Sequence, residues 1–202
     1  MDATSETDQA APRRAVVIVA STRASDGTYE DRTGPILMDT LAQWGFAATG
    51  PIVVPDGPAV GQALREALAT RPELIFTTGG TGVSPTDRTP QETAPLLDLR
   101  IDGIPELLRA TGVAKGLPVA VLSRGIAGVS NGTLVINLPG SRGGVNDALG
   151  VLRPIVTHAI DQVRGIDHEG RVPMRGSRGR ARRGEIGRSG GPRTPTKSDE
   201  PG

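Results

Sequence analysis

Residues 74–90 read Leu-Ile-Phe-Thr-Thr-Gly-Gly-Thr-Gly-Val-Ser-Pro-Thr-Asp-Arg-Thr-Pro. An apolar run, Leu74-Ile75-Phe76, carries the backbone into three glycines within four residues, Gly79, Gly80 and Gly82. Thr77, Thr78 and Thr81 line that turn, and a lone acid, Asp87, follows before Thr89-Pro90 opens a helical pattern. Glycine permits positive φ and lets a ligand approach without a Cβ in the way. Successive amides in such a turn form a concavity for anions. A carboxylate beside a phosphate cradle repels the phosphate unless a divalent cation sits between them. The stretch therefore predicts a phosphate-and-Mg²⁺ site at the end of a strand. The competing reading is a glycine-rich turn with a helix-capping Asp, since turns use the same residues.

Working outward, strands and helices alternate. Ala15-Val-Val-Ile-Val-Ala20 is a continuous β-branched run, as expected of a strand buried on both faces. After the polar segment 21–33, Gly34-Pro35 starts a helix with Ile36, Leu37, Leu41 and Trp44 on one face, stopping near Gly45. Residues 47–54 read as a second strand closed by Pro55-Asp56-Gly57, and Val60, Leu64, Ala67 and Leu68 as a second helix. Residues 74–78 form the third strand, and Thr89 is a plausible N-cap with Pro90 at the first helical position. A short helix is expected over 105–111, a fourth strand over 118–122 and a fifth over 133–137. A last helix spans 145–164, with Val145, Ala148, Leu149, Leu152, Ile155, Val156, Ala159 and Ile160 on its buried side. This order predicts a doubly wound α/β domain, its mostly parallel sheet covered by helices on both faces. Ligands in that architecture lie beyond the strand C-termini. Segments 21–34, 55–57, 77–90 and 137–144 should meet there.

The domain is expected over residues 14–166, between disordered tails at 1–13 and 167–202. The C-terminal segment is Gly/Arg/Pro-rich, and residues 169–202 hold nine Arg/Lys against four Asp/Glu. With a net charge of +1 overall, residues 1–168 must then be acidic. The tail reads as a solvated segment rather than a nucleic-acid arm. Four aromatics (Tyr29, Trp44, Phe46, Phe76) make a base-stacking platform improbable. The absence of cysteine removes disulfides, thiolate nucleophiles and Cys-based metal sites. No apolar run is long enough to span a bilayer and no signal-peptide pattern precedes Ala15, so a cytoplasmic protein is expected.

Ordinary nucleotide motifs fail. GxxxxGK[ST] needs lysine after the last glycine, where Val83 stands. A dinucleotide fingerprint needs glycine at 85, which is proline. Asp56 reads as a helix cap when taken alone, but Asp87 on the same rim makes a jointly held Mg²⁺ the stronger reading. Asp31 reads equally as cap or ligand. Asn137-Leu138-Pro139-Gly140-Ser141 feeds the last helix, an anion site or only a tight turn. Ser123-Arg124-Gly125 offers a cation suited to phosphate, or a plain surface arginine. His158 and His168 do not stand at metal-ligand or triad spacing in the sequence and read as packing or surface residues.

Together these residues resemble the MogA/MoaB family of molybdenum cofactor biosynthesis. The resemblance rests on Thr77-Thr-Gly-Gly-Thr-Gly-Val83 with Asp87 and Thr89-Pro90, on Asp31-Arg-Thr-Gly34, on Val54-Pro-Asp56 and on Asn137-Leu-Pro-Gly-Ser141, in order across residues 14–166. It implies a molybdopterin-binding α/β fold, a homotrimer or hexamer, and Mg²⁺-dependent transfer of AMP from ATP to molybdopterin with release of pyrophosphate. By position, Asp56 and Asp87 correspond to the family's acidic pair at the metal and reacting phosphates. Gly79, Gly80, Thr81 and Gly82, following Thr78, correspond to its phosphate loop. Ser21, Asp31, Gly34, Ser123, Asn137, Pro139, Gly140 and Ser141 would line the rest of the pocket. Some adenylyltransferases of the family carry a basic residue shortly before the loop acid, where this chain has Val83-Ser84-Pro85-Thr86. The alternative implied by that difference is a non-catalytic pterin-binding or carrier paralogue. Other cofactor-assembly proteins are the partners the resemblance implies.

Overall fold

The computed structural model describes residues 11–166. Its strands are β1 (Arg13–Ala20), β2 (Phe46–Val54), β3 (Leu74–Thr78), β4 (Leu99–Arg100), β5 (Ala127–Ser130) and β6 (Thr133–Leu138). Its helices are α1 (Thr22–Ser25), α2 (Gly34–Gln43), α3 (Pro58–Ala69), α4 (Thr89–Thr93), α5 (Gly103–Ala114) and α6 (Arg142–Val163), with 3₁₀ turns at Ala94–Leu96 and Pro118–Leu122. One six-stranded sheet runs in the order β2-β1-β3-β6-β5-β4. β2, β1, β3 and β6 are parallel, and β5 and β4 are added antiparallel. This is the expected mostly parallel α/β domain. The expected tails lie outside the described residues except at 11–13, where Ala11 and Pro12 are exposed and Arg13 already belongs to β1, pairs with Phe46 and bonds Asp161 of α6.

Strand β1 shows why an unbroken apolar run must be central. Side chains alternate across a pleated sheet, so each face needs its own apolar set. Ala15, Val17 and Val19 pack with Leu37 and Leu41 of α2 and with Val145, Leu149, Leu152 and Val156 of α6. Val16, Ile18 and Ala20 pack on the other face with Val60, Leu64 and Ala67 of α3. Fully burying each large apolar side chain contributes about 1.5–3 kcal/mol. Phe76 of β3, fully buried, also meets Trp44 edge-to-face at 6.4 Å. On α6, Ile155 and Ala159 are partly rather than fully buried, and the other six expected residues are buried.

The edge of the sheet departs from expectation. Residues 118–122 are not a strand but a 3₁₀ turn against α5, with Val119 and Val121 each 60% exposed. Pro118 lacks a ladder donor, and Ala120 packs so closely on Gly112 of α5 that a Cβ there would stand 2.6 Å from it. The place beside β6 is taken by β5, and a two-residue turn at Asn131-Gly132 joins the pair. Both turn residues have positive φ, 47° and 83°, as a type I′ hairpin requires. The helix expected at 105–111 runs longer, over Gly103–Ala114. Thr89 is the first residue of α4 rather than its cap. Among the described residues no helix is long and apolar enough to cross a membrane.

Candidate functional site

The C-terminal ends of β1, β2, β3 and β6 open onto one cleft of about 690 Å³. One wall is the segment after β1, with Ser21, Thr22, Arg23, Tyr29, Asp31 and Arg32. Asp56 after β2, then Thr78, Gly79 and Gly80 after β3, continue the lining. Thr86 and Asp87 close one side, and Gly140, Ser141 and Arg142 at the start of α6 close the other. The four rim segments anticipated from the sequence thus converge.

The glycine loop is packed so tightly that side chains are excluded. Gly79 has φ +90°, and a Cβ on it would stand 2.2 Å from the Ala20 carbonyl oxygen. Gly80 has φ +61°, and its Cβ would meet Thr89 Oγ1 at 2.4 Å and Asp56 Oδ1 at 3.0 Å. At Gly82 a Cβ would lie 2.8 Å from Asp87 Oδ2. The two carboxylates therefore flank the same short loop, Asp56 against Gly80 and Asp87 against Gly82.

Neither of these acids caps a helix. Asp56 Oδ2 accepts from the Thr22 amide at 3.0 Å and its hydroxyl at 2.9 Å, which ties β2 to the segment after β1. Gly57 is the N-cap of α3, with no side-chain capping bond. Asp87 Oδ2 accepts from the Ser84 amide at 2.9 Å, closing its own loop. Asp31 is different: it accepts from the amides of Thr33 and Gly34 at 2.9 and 3.0 Å and so settles the start of α2. The nearby Asp26 carboxyl lies below its usual range because the Thr28 side chain and amide hydrogen-bond it.

Not every expected residue reaches the cleft. Gly34 is buried, with Asp31 Oδ2 and Pro51 where a Cβ would be. Thr81 and Gly82 are off the wall, and their carbonyls face Arg124 instead. Ser123, Asn137 and Pro139 line a separate recess of about 70 Å³, which Ser141 shares with the cleft. Asn137 is 2% exposed, and both its amide hydrogens are engaged, by Thr77 Oγ1 at 2.9 Å and Thr93 Oγ1 at 3.1 Å. Its oxygen accepts from the Ile126 amide at 3.2 Å. The chain of bonds continues from Thr93 Oγ1 to the Thr89 carbonyl and from Thr89 Oγ1 to the Gly79 carbonyl. Thr78 Oγ1 donates to the Pro139 carbonyl at 2.8 Å. Buried polar networks are stable only when fully satisfied, and this one anchors the cleft floor to the sheet. Ser141 Oγ caps α6 by accepting from the Gly144 amide at 3.1 Å.

Several lining residues carry no signal of their own in the sequence. Thr22 braces Asp56, and Arg23 and Arg32 approach the Tyr29 ring at 5.4 and 5.1 Å. With Arg142 they bring positive charge to the cleft lining. The polar run 21–33 was a signal for the segment but not for which residues face inward. Arg124, read as a phosphate cation or plain surface residue, turns instead to the glycine loop. His158 is exposed, and His168 lies outside the described residues.

Among the described residues no three His, Cys, Asp or Glu side chains gather as a metal cage. Mg²⁺ commonly takes one or two carboxylates and completes its shell with waters and substrate phosphates. The hard oxygen donors of Asp56 and Asp87, with a cradle between them that excludes a Cβ, fit that manner of binding.

The chain is similar to known proteins in sequence and in fold. Residues 16–158 match the family described as "Probable molybdopterin binding domain". The chain is 37% identical over 155 residues to a molybdenum cofactor biosynthesis bifunctional protein of Synechococcus elongatus, covering 76% of this chain and 48% of that protein. It thus spans about half the length of that relative. It is 33% identical over 153 residues to a molybdopterin adenylyltransferase of Helicobacter pylori, covering 74% of this chain and 86% of the relative. The solved structure of a molybdopterin biosynthesis Mog protein from Mycobacterium ulcerans superposes with TM-score 0.72 at 50% identity, over 75% of this chain and 99% of that one. With its fold, its glycine loop and these relatives in agreement, the chain belongs to the MogA/MoaB family of molybdenum cofactor biosynthesis.

Proposed function

We propose that this protein transfers AMP from ATP to the terminal phosphate of molybdopterin, with Mg²⁺ held by Asp56 and Asp87. The observation that carries the reading is the pair of carboxylates flanking one glycine loop in a cleft that also presents arginines and the start of a 22-residue helix. The name of the Helicobacter pylori relative, molybdopterin adenylyltransferase, supports it.

In this reaction an oxygen of the pterin phosphate attacks the α-phosphorus of ATP. The bond to the β-phosphate breaks, and pyrophosphate leaves. The nucleophile is already an anion, so neither a covalent enzyme nucleophile nor a general base is required. The obstacle is repulsion between anions, which positioning and electrostatics overcome. Bound Mg²⁺ would neutralise part of the phosphate charge. The chain's own contribution is to orient. Gly79 and Gly80 let phosphates approach the backbone, and Ser21, Thr78, Gly140 and Ser141 shape the floor. Arg23, Arg32 and Arg142 offer cationic contacts for phosphate oxygens. Asp31 fixes the wall after β1, while Asn137 holds the floor from beneath.

Wild-type protein incubated with molybdopterin, MgATP and pyrophosphatase should yield adenylylated pterin by mass spectrometry, and EDTA should abolish the product. Protein that binds pterin but makes no product would instead be a carrier paralogue. We take the protein to act in the cytoplasm alongside other cofactor-assembly proteins.

The reading includes a homo-oligomer, a trimer by family resemblance. Val119, Val121 and Leu122 are 50–60% exposed in one 3₁₀ turn. Exposed apolar patches of this kind mark association surfaces. Val119→Asp/Val121→Asp should convert a trimer to monomers in light scattering coupled to size exclusion. A wild-type monomer, or an unchanged assembly in the double variant, would remove that surface from the interface.

A further inference from the structure

Arg124 lies between the 3₁₀ turn Pro118–Leu122 and β5, yet among the described residues its hydrogen bonds run to the glycine loop on another part of the chain. Its amide donates to the Thr81 carbonyl at 2.8 Å, its Nε to the Gly82 carbonyl at 2.6 Å, and its Nη2 to the Asp87 carbonyl. The residue is itself fixed from both sides. Arg109 of α5 donates to the Ser123 carbonyl at 3.2 Å, and the Ile126 amide donates to Asn137 of β6. Arg124 does not line the cleft, so it acts through the loop it grips.

Residues 83–86 are exposed, and Val83 is 65% exposed. Within the loop the bonds are local: the Ser84 amide to Asp87 Oδ2, the Asp87 amide to the Ser84 carbonyl at 3.0 Å, and the Thr89 amide to the Gly80 carbonyl at 3.0 Å. Local bonds close a turn but do not fix where the turn sits against the sheet. The guanidinium does, because a planar fork with donors at fixed angles sets direction as well as distance. In a trans peptide the N–H points opposite to the C=O. Holding the carbonyls of 81, 82 and 87 therefore turns the amides of Gly82, Val83 and Arg88 away from Arg124.

We propose that Arg124 is a positioning residue for Asp87, a role that rests on the adenylyl-transfer reading above. It fixes where the carboxylate stands relative to Asp56 without touching substrate. A displacement of about 1 Å in a reacting constellation can cost 10²-fold in rate. Arg124→Gln should therefore lower kcat by roughly 10–100-fold, with pterin affinity unchanged within about twofold. In the absence of substrate, hydrogen exchange of the hydrogen-bonded Ser84 and Asp87 amides within 82–88 should accelerate by about tenfold or more as the loop opens locally. Guanidinium added to Arg124→Ala should recover part of kcat. In an Asp87→Asn background the Gln change should cost little further rate, since residues acting as a unit are non-additive. Arg124→Lys, with circular dichroism on each variant, separates misfolding from mispositioning.

A kcat within threefold of wild type in folded Arg124→Gln would overturn the proposal. So would unchanged exchange over 82–88, or a full additive loss in the double variant. An inactive wild type would sink the adenylyl-transfer reading and the catalytic role with it, and the exchange measurement would still decide whether Arg124 holds the loop.

Discussion

Asp87→Asn is expected to lower the rate of adenylyl transfer by about 10²–10³ while leaving pterin binding intact. Asparagine has the shape of aspartate and keeps a carbonyl oxygen for the Ser84 amide, so the 2.9 Å bond that closes the loop survives. What disappears is one negative charge beside Gly82. A group that interacts more strongly with the transition state than with bound substrate shows its loss in kcat. Single-turnover formation of adenylylated pterin measures the rate, and fluorescence titration measures binding. Turnover within fivefold of wild type would exclude Asp87 from the reacting centre. Loss of pterin affinity in step with rate would make it a binding residue instead.

Gly79→Ala should be the most damaging single methyl group in the domain. Alanine at φ +90° is strained, at a cost of about 1–2 kcal/mol. The added carbon would also stand 2.2 Å from the Ala20 carbonyl oxygen. That oxygen belongs to the backbone at the end of β1, which is parallel-paired to β3, so it cannot swing aside as a flexible side chain would. Overpacking adds about 1–3 kcal/mol. A total of about 3 kcal/mol corresponds to roughly 10 °C in Tm for a domain of this size. Gly27→Ala is the matched control, since it has φ +78° with nothing within 4 Å of the new carbon and carries only the conformational term. Thermal unfolding of the two variants separates strain from collision. Equal losses would mean that the β1 end yields.

The central layer was legible because its constraints are local and periodic. An unbroken β-branched run at 15–20 can be satisfied only with apolar partners on both faces, and β1 has them. Strand C-termini in a parallel sheet share one edge, so the rim segments could be brought together before any distance was known. The antiparallel edge was harder. Pro-Val-Ala-Val-Leu at 118–122 has strand composition, whereas Ala-Gly-Val-Ser at 127–130 has little apolar signal, and the chain used the second. Asn131-Gly132 carries the hairpin information, in turn chemistry rather than in hydrophobicity. Within the site, the location of Asp56 and Asp87 followed from strand ends. The direction of Arg124 and the engagement of Asn137 did not, because they depend on which groups come within bonding distance across 37 to 60 residues.

The buried chain from Asn137 through Thr93 and Thr89 to Gly79 also bears on how this protein can change. The base of the binding surface is made of the same atoms that hold the domain together. A substitution there that altered ligand choice would lose the folded protein before any new preference could be selected. Apart from Thr22 and Asp31, which bond Asp56 and the start of α2, the run 22–32 carries no such duty: most of its side chains face solvent. Diversification of what this scaffold accepts should therefore begin at that border, with the foundation left as it stands.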